Sequence, residues 1–379
     1  MRLCIDARPM QNAHRTRGVG VLLANLLREM GRLAVEDRVT LIVQNGEPIP
    51  ELFRLEERLP TYRLMRPNRF NWIADQLLLP NLVRRSGADC FLATDFNSYL
   101  RPQPGRAVIS LVYDLIPFVF PETMAAQPLP VRVGWRMNFN KLKQSTACIA
   151  ISAATRDDLV RTFGVPAERI KVIHPGIDHT LFNLDNAADH NRQRQLLATL
   201  GINGRFLLYV GDSEPRKNLK RVLEALVGIS ADVKLVLAGK RAPTDSRLQS
   251  WIQELHLEDR VLTPGFVADA DLPLLYGAAT AFIFPTLYEG FGFPLVEAMA
   301  CGCPVVTSNL SSMPEVAGGA GLLVDPLSVD EIRNAIRQLT VDRELRQNLT
   351  AAGLRRAADF SWTRSATETL DFLRGVGSV

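Results

Sequence analysis

The strongest constraint on the fold is a series of short apolar runs alternating with helix-length stretches, broken once and then restarted. In the first half these runs are Leu3-Cys-Ile-Asp6, Val39 to Val43, Asp89 to Ala93, Val108 to Tyr113, Cys148 to Ile151 and Ile170 to Ile173. Val19 to Leu33 carries helical periodicity, and Ser152 is placed to cap a helix over Ala153 to Phe163. The series stops at His179 to Leu200, a polar stretch with a helix expected near Arg192 to Leu200. It restarts at Phe206 to Val210 and continues with Lys234 to Ala238, Val261-Leu262, Ala281 to Phe284, Pro304 to Thr307 and Leu322 to Val324. Apolar strands separated by helices predict parallel sheets covered on both faces. A chain of 379 residues is also too long for one ordinary core. The expected fold class is therefore α/β, with two parallel-sheet domains facing a central, ligand-binding cleft. The expected boundaries are 1–182 and 200–360, with a C-terminal helix over 361–379.

Charge is distributed unevenly. Residues 1–180 hold 24 Lys and Arg against 17 Asp and Glu, while the remainder holds 20 against 23. A basic first half suggests an anionic partner such as a phospholipid surface or a diphosphate-bearing acceptor. Nucleic acid is not expected, because no basic stripe with interleaved aromatics is present. The five cysteines are scattered, and Cys301-Gly-Cys303 has no second pair or histidine cluster to make a zinc site. Met1 to Asp6 reads as a strand rather than a leader, and no apolar stretch reaches the ~18 residues of a membrane span. A reducing, cytoplasmic setting is expected.

Chemistry concentrates in Phe284-Pro-Thr-Leu-Tyr-Glu289-Gly-Phe-Gly-Phe-Pro294-Leu-Val-Glu297. Pro285 ends an apolar strand, so Glu289 falls in the loop past a strand's C-terminal end, where open α/β sheets bind ligands. Gly290 and Gly292 permit a tight turn and close approach of a ligand. Pro294 suits the first position of a helix whose N-terminus favours anions, and Glu297 follows within its first turn. Carboxylates aimed at a phosphate would repel it. Glu289 and Glu297 therefore fit better as acceptors for sugar hydroxyls flanking a diphosphate.

Other strand ends add to this. Gly211 makes a turn after the first strand of the second series, followed by Arg216, Lys217 and Asn218, the last expected to cap the next helix. Adjacent cations at a strand mouth suit a diphosphate leaving group, Arg bidentately and Lys as a point charge. Arg17-Gly18-Val-Gly20 closes the first loop and opens a helix, which suits backbone approach to a phosphate or acceptor. Asp6 and Arg8 stand ahead of that loop as residues that would pin it. Asp114 ends another strand, as a site residue or as a loop cap. Gly265-Phe266-Val267 would present backbone groups to a nucleobase.

These motifs occur in order: Gly18-Val-Gly20, Tyr113-Asp114-Leu-Ile-Pro117, Glu214-Pro-Arg216-Lys217-Asn218, Glu289 to Glu297-Ala, and Pro314-Glu-Val-Ala-Gly318. Together they resemble family 4 of the retaining glycosyltransferases, over nearly the whole chain, and among them the bacterial mannosyltransferases that build O-antigen or exopolysaccharide on a lipid carrier. The resemblance implies a GT-B architecture of two Rossmann-like domains and a metal-independent enzyme without cofactors. It implies that Arg216 and Lys217 hold the donor diphosphate, that Glu289 contacts the transferred sugar, and that Glu297 takes the ribose hydroxyls. Backbone groups of Gly290, Phe291, Gly292 and Phe293 would support sugar and phosphate, Gly20 would let the first loop approach, and Val267 would lie near the base. Phe360-Ser-Trp362 resembles the segment that crosses back to the first domain.

One position departs from the family pattern. Relatives often carry His before this Asp, and here Tyr113 stands there. A phenol with a pKa near 10 is a poor proton shuttle at neutral pH. The implied reaction moves a hexose from a nucleotide diphosphate sugar, GDP-mannose being favoured, to a lipid-linked oligosaccharide at the cytoplasmic membrane face. Arg63, Arg66 and Arg69 with Phe70 and Trp72, and the segment holding Arg132, Arg136, Lys141 and Lys143, are candidates to meet an anionic membrane. The rival readings are a nucleotide-sugar epimerase of the same fold and a non-catalytic nucleotide-sugar sensor.

Overall fold

The computed structural model describes residues 1–11, 18–54, 56–61, 71–240 and 242–377. Arg17, Arg63, Arg66, Arg69, Phe70 and the side chain of Trp72 lie outside the described residues. Two compact units make up the chain: Met1–Gly176 with the segment from Trp362 onward, and Ile177–Ser361.

The first unit is built on seven strands: β1 (Arg2–Asp6), β2 (Arg38–Gln44), β3 (Glu56–Thr61), β4 (Cys90–Ala93), β5 (Ala107–Val112), β6 (Ala147–Ala150) and β7 (Ile170–Val172). All pair in parallel, in the order β3-β2-β1-β4-β5-β6-β7. Five of the six expected runs lie on β1, β2, β4, β5 and β6 because those segments are buried on both faces, and the sixth forms β7. The strand that the sequence reading omits is β3, Glu-Glu-Arg-Leu-Pro-Thr, an edge strand whose charges and proline disguise it. Ser152 caps the helix Ala153–Phe163, its side chain accepting from Thr155 N. Helix Trp362–Gly377 belongs to this unit. Ser365 Oγ donates to His174 O, Arg374 pairs with Asp37 at 2.7 Å, and Leu370 and Leu373 are buried.

The second unit carries β8 (Arg205–Val210), β9 (Val233–Ala238), β10 (Val261–Gly265), β11 (Ala281–Phe284), β12 (Val305–Ser308) and β13 (Leu322–Val324), all parallel, in the order β10-β9-β8-β11-β12-β13. This repeats the doubly wound plan of the first unit, though the sequence shows no repeat. Helix Leu219–Val227 buries Leu219, Val222, Leu223 and Leu226, one apolar stripe at helical spacing, against Leu207, Leu235 and Ile283 of the sheet. The polar stretch after Gly176 forms two short helices, Leu184–Ala187 and His190–Thr199. Within this unit Ile177 N donates to Phe360 O at 3.2 Å.

Strand order reverses between β1 and β4 in one unit and between β8 and β11 in the other. At such a switch point the loops leaving two neighbouring strands diverge and open a crevice at the strands' C-terminal ends.

Candidate active site

In the second unit the switch-point loops carry the predicted cations and the first glutamate. Past β8, Gly211 adopts φ 143°, and a Cβ there would lie 3.1 Å from Lys217 Nζ and 3.2 Å from its Cδ. The glycine thus lets the Lys217 side chain fold back over the strand end. The 3-10 turn Pro215–Lys217 is anchored from three sides. Tyr209 Oη donates to Lys217 O at 3.1 Å, Thr286 Oγ1 to Arg216 O at 2.9 Å, and Leu287 N to Arg216 O at 2.7 Å. Past β11, Glu289 meets Arg216 Nη1 at 2.7 Å and Lys217 Nζ at 3.7 Å, with all three side chains about 15% exposed. Arg216 also pairs with Glu214 at 2.9 Å and donates to Tyr288 O at 3.3 Å. Lys217 Nζ sits 5.5 Å from the Phe284 ring centroid, a cation–π contact.

Asn218 does not cap the following helix, contrary to the sequence expectation. It adopts a left-handed conformation at φ 61° with no capping bond. Its Nδ2 instead donates to Pro285 O at 2.9 Å and Pro326 O at 2.6 Å, and its Oδ1 accepts from Arg221. This one buried amide ties together the loops leaving β8, β11 and β13.

The two-glycine loop is strapped by residues that the sequence reading missed. Ser311 Oγ and Ser312 Oγ donate to Glu289 O at 2.7 and 2.9 Å, and Ser312 Oγ also donates to Phe291 O at 2.8 Å. A pair of serines three and four residues past the end of β12 was the available signal. Gly292 adopts φ 107°, and a Cβ there would strike Met313 Cε at 2.4 Å. The Phe291 ring is buried against Phe293 and Phe360, so any ligand contact from Phe291 is through its backbone.

The helix here runs Phe293–Ala300, so Pro294 takes its second position and Glu297 its second turn, each one step later than expected. Glu297 accepts from Tyr276 Oη at 3.2 Å. Burial pushes its carboxyl up to about 7, against the opposing effect of the Tyr276 bond; Asp269 raises it further and Lys217 lowers it. Tyr276 was legible only as a phenol on an apolar helix that needs a polar partner. Val267 is buried just past β10, whereas Phe266 beside it is 70% exposed at the same sheet edge.

The remaining candidates belong to the first unit. Gly18 and Gly20 lie in the first turn of helix Gly18–Leu33, and a Cβ at Gly18 would meet nothing within 4 Å. Arg8 grips fully buried Asp6 bidentately, at 2.8 and 2.9 Å, and reaches Asp75 at 2.6 Å, so this cation is spent on structure. Asp114 Oδ1 accepts from Ile116 N at 3.0 Å and so orders the loop after β5. The Tyr113 hydroxyl is buried with no hydrogen-bond partner among the described residues. Burial, then Asp95 and Asp6, hold its pKa well above the ordinary phenol value, so it stays protonated at neutral pH.

Comparison with known proteins agrees with the two parallel-sheet units. The family model Glycosyltransferase Family 4 matches residues 16–181, and Glycosyl transferases group 1 matches residues 197–356. The chain is 33% identical over 332 residues to O-antigen chain mannosyltransferase B of Escherichia coli, covering 86% of this chain and 82% of that protein. It is 25% identical to the serotype-specific mannosyltransferase WbdA of Escherichia coli over 97% of this chain, and spans 47% of that longer protein. Sucrose-phosphate synthase from Thermosynechococcus elongatus superposes with a TM-score of 0.79 at 21% identity, covering 100% of this chain and 99% of that one.

Proposed function

The chain belongs to family 4 of the glycosyltransferases, and on that premise we propose that it moves mannose, with retention, from GDP-mannose to a hydroxyl of a lipid-linked or growing polysaccharide. The observation that carries this reading is the cluster at the β8–β11 switch point. Arg216 and Lys217 are two neighbouring, largely buried cations held beside Glu289 at 2.7 and 3.7 Å.

The donor diphosphate is read onto Arg216 and Lys217. As the bond from the sugar's anomeric carbon to the phosphate oxygen breaks, negative charge grows on the leaving diphosphate, and fixed cations stabilise it there. The acceptor hydroxyl forms its bond to the same carbon from the same face, and the departing phosphate oxygen takes the hydroxyl proton. Glu289, oriented by Arg216 and by the serine straps on its carbonyl, offers carboxylate oxygen to hydroxyls of the transferred sugar. Glu297 serves the ribose, and the backbone at Val267 meets the base. No metal and no proton shuttle enters this scheme. Tyr113 stays a neutral hydrogen-bond donor, and Asp114 orders its loop.

Mannose is favoured because the relatives above are named mannosyltransferases. The acceptor is read as a lipid-linked oligosaccharide presented at an anionic membrane surface, which the enzyme visits from the cytoplasmic side. Among the described residues no helix is long and apolar enough to cross a membrane. Calorimetry with GDP, UDP and ADP tests the donor: preferential binding of GDP is expected, and preferential binding of UDP would replace GDP-mannose in the scheme.

A further inference from the structure

In the first unit, two helices present apolar side chains to solvent where a folded core gives no reason for them. Helix Asn71–Arg85 buries Leu79 and Val83 but exposes Ile73, Leu77 and Leu78, with Leu77 73% accessible. Asn81, Arg84 and Arg85 lie on that same outer face. Helix Leu129–Asn140 buries Gly134, Asn138 and Phe139 but exposes Leu129, Val133 and Met137, with Leu129 67% accessible. These three are four residues apart, so they form one stripe, and exposed Arg132 and Arg136 run alongside it.

The two helices share one support. Gln76 of the first donates to Asn97 O at 2.8 Å, and Trp135 of the second packs edge-on against Phe96 at 5.6 Å; Phe96 and Asn97 are neighbours in the short turn Phe96–Ser98. Leu79, Val83, Phe139 and Leu142 enter a single core cluster. The outer faces therefore belong to one side of the same sheet.

Exposed charge on these two helices has one sign. Helix Leu129–Asn140 contains no acidic residue, and exposed Lys143 follows it. The only acid in helix Asn71–Arg85 is Asp75, which turns inward to Arg8 at 2.6 Å. Apolar side chains flanked by arginines match the interface of an anionic bilayer. There the alkyl groups enter the acyl boundary while the guanidinium heads stay with the phosphates.

We infer that the outer faces of helices Asn71–Arg85 and Leu129–Asn140 together dock the enzyme flat on an anionic lipid leaflet, through Leu77, Leu129, Val133 and Met137 with Arg84, Arg132 and Arg136. This deepens the reading of a lipid-linked acceptor and rests on it for its purpose, while its physical test does not. The inserted side chains supply an attraction that salt does not screen, and the arginines supply selectivity for negative lipid.

Flotation of the full chain with vesicles of phosphatidylcholine, alone or mixed with phosphatidylglycerol, tests the inference. The chain should float with the mixed vesicles, and high salt should weaken the binding without abolishing it. Arg132→Glu with Arg136→Glu should lower partitioning about thirtyfold or more, since each surface cation is worth about 1 kcal/mol near such a membrane. Leu77→Ser, Leu129→Ser and Met137→Ser combined should remove the salt-resistant part. All five positions are exposed, so unchanged melting curves will confirm folded variants. Equal flotation of the variants and wild type, or flotation of the wild type with neither vesicle, overturns the inference. So does a self-associating chain whose dimer, but not its vesicle binding, is lost in the serine variant. A chain that floats through this face yet transfers no sugar to lipid-linked acceptors upholds the docking face and removes the acceptor reading.

Discussion

Gly211→Ala is a small perturbation with a traceable route to the chemistry. At φ 143° an alanine sits in backbone territory that side chains rarely occupy, which costs about 1–3 kcal/mol. The new Cβ would stand 3.1 Å from Lys217 Nζ and 3.2 Å from its Cδ, with no backbone atom among the close neighbours. The flexible lysine, not the sheet, gives way. Lys217 then leaves its place 3.7 Å from Glu289 and above the Phe284 ring. Thermal melting should fall by roughly 2–10 °C, as expected for that strain in a domain of this size. Turnover should fall further than stability explains, by about ten- to a hundredfold at saturating donor, as for loss of one charge contact to the leaving group. Steady-state transfer by Gly211→Ala, Lys217→Ala and the double variant checks the route. If lysine displacement is the cause, adding Gly211→Ala to Lys217→Ala costs little more turnover. Losses that multiply, or wild-type turnover in Gly211→Ala, would refute the reasoning.

Three other outcomes are expected. Asn218→Ala strips two buried carbonyls of their donor and puts alanine at φ 61°, so chemical denaturation should show a loss of about 2–4 kcal/mol. Asn218→Gly should recover only the backbone part. Glu297, with its carboxyl raised from an ordinary 4.5 to about 7 by burial, binds more protons folded than unfolded. Its contribution to stability is therefore present at low pH and is lost as pH rises from 4.5 through 7. Glu297→Gln should accordingly be more stable relative to wild type at pH 8 than at pH 5, and equal differences at both values would contradict the assignment. Phe266→Ala, which removes an aromatic 70% exposed beside the proposed base contact, should weaken nucleotide binding about tenfold in calorimetry while leaving melting unchanged.

The sheets were legible because parallel strands buried on both faces leave uninterrupted apolar runs, as at Ala281–Phe284, where reading and structure coincide. The strand β3 was hidden because an edge strand tolerates Pro60 and three charges. Within the site, Arg216, Lys217 and Glu289 were readable from their places at strand ends, since strand order brings the loops of β8 and β11 together. The role of Asn218 was not, because a helix-capping asparagine and a left-handed asparagine bridging two distant carbonyls share one local sequence signal. The Tyr276 bond to Glu297 and the serine straps on Glu289 span separate segments, and no local pattern announces such contacts. The apolar outer face of helix Asn71–Arg85 was masked in another way: with apolar residues on both sides, the periodicity that marks a buried stripe is blurred.

The central claim is that two cations at the β8–β11 switch point stabilise a departing diphosphate. Single-turnover transfer from labelled GDP-mannose by Arg216→Ala and Lys217→Ala, with donor affinity measured alongside, tests it most directly. Each variant should lose about 2–5 kcal/mol of transition-state stabilisation, with the larger share in the transfer rate rather than in donor affinity. Near wild-type transfer by both variants, in folded protein, would contradict the account.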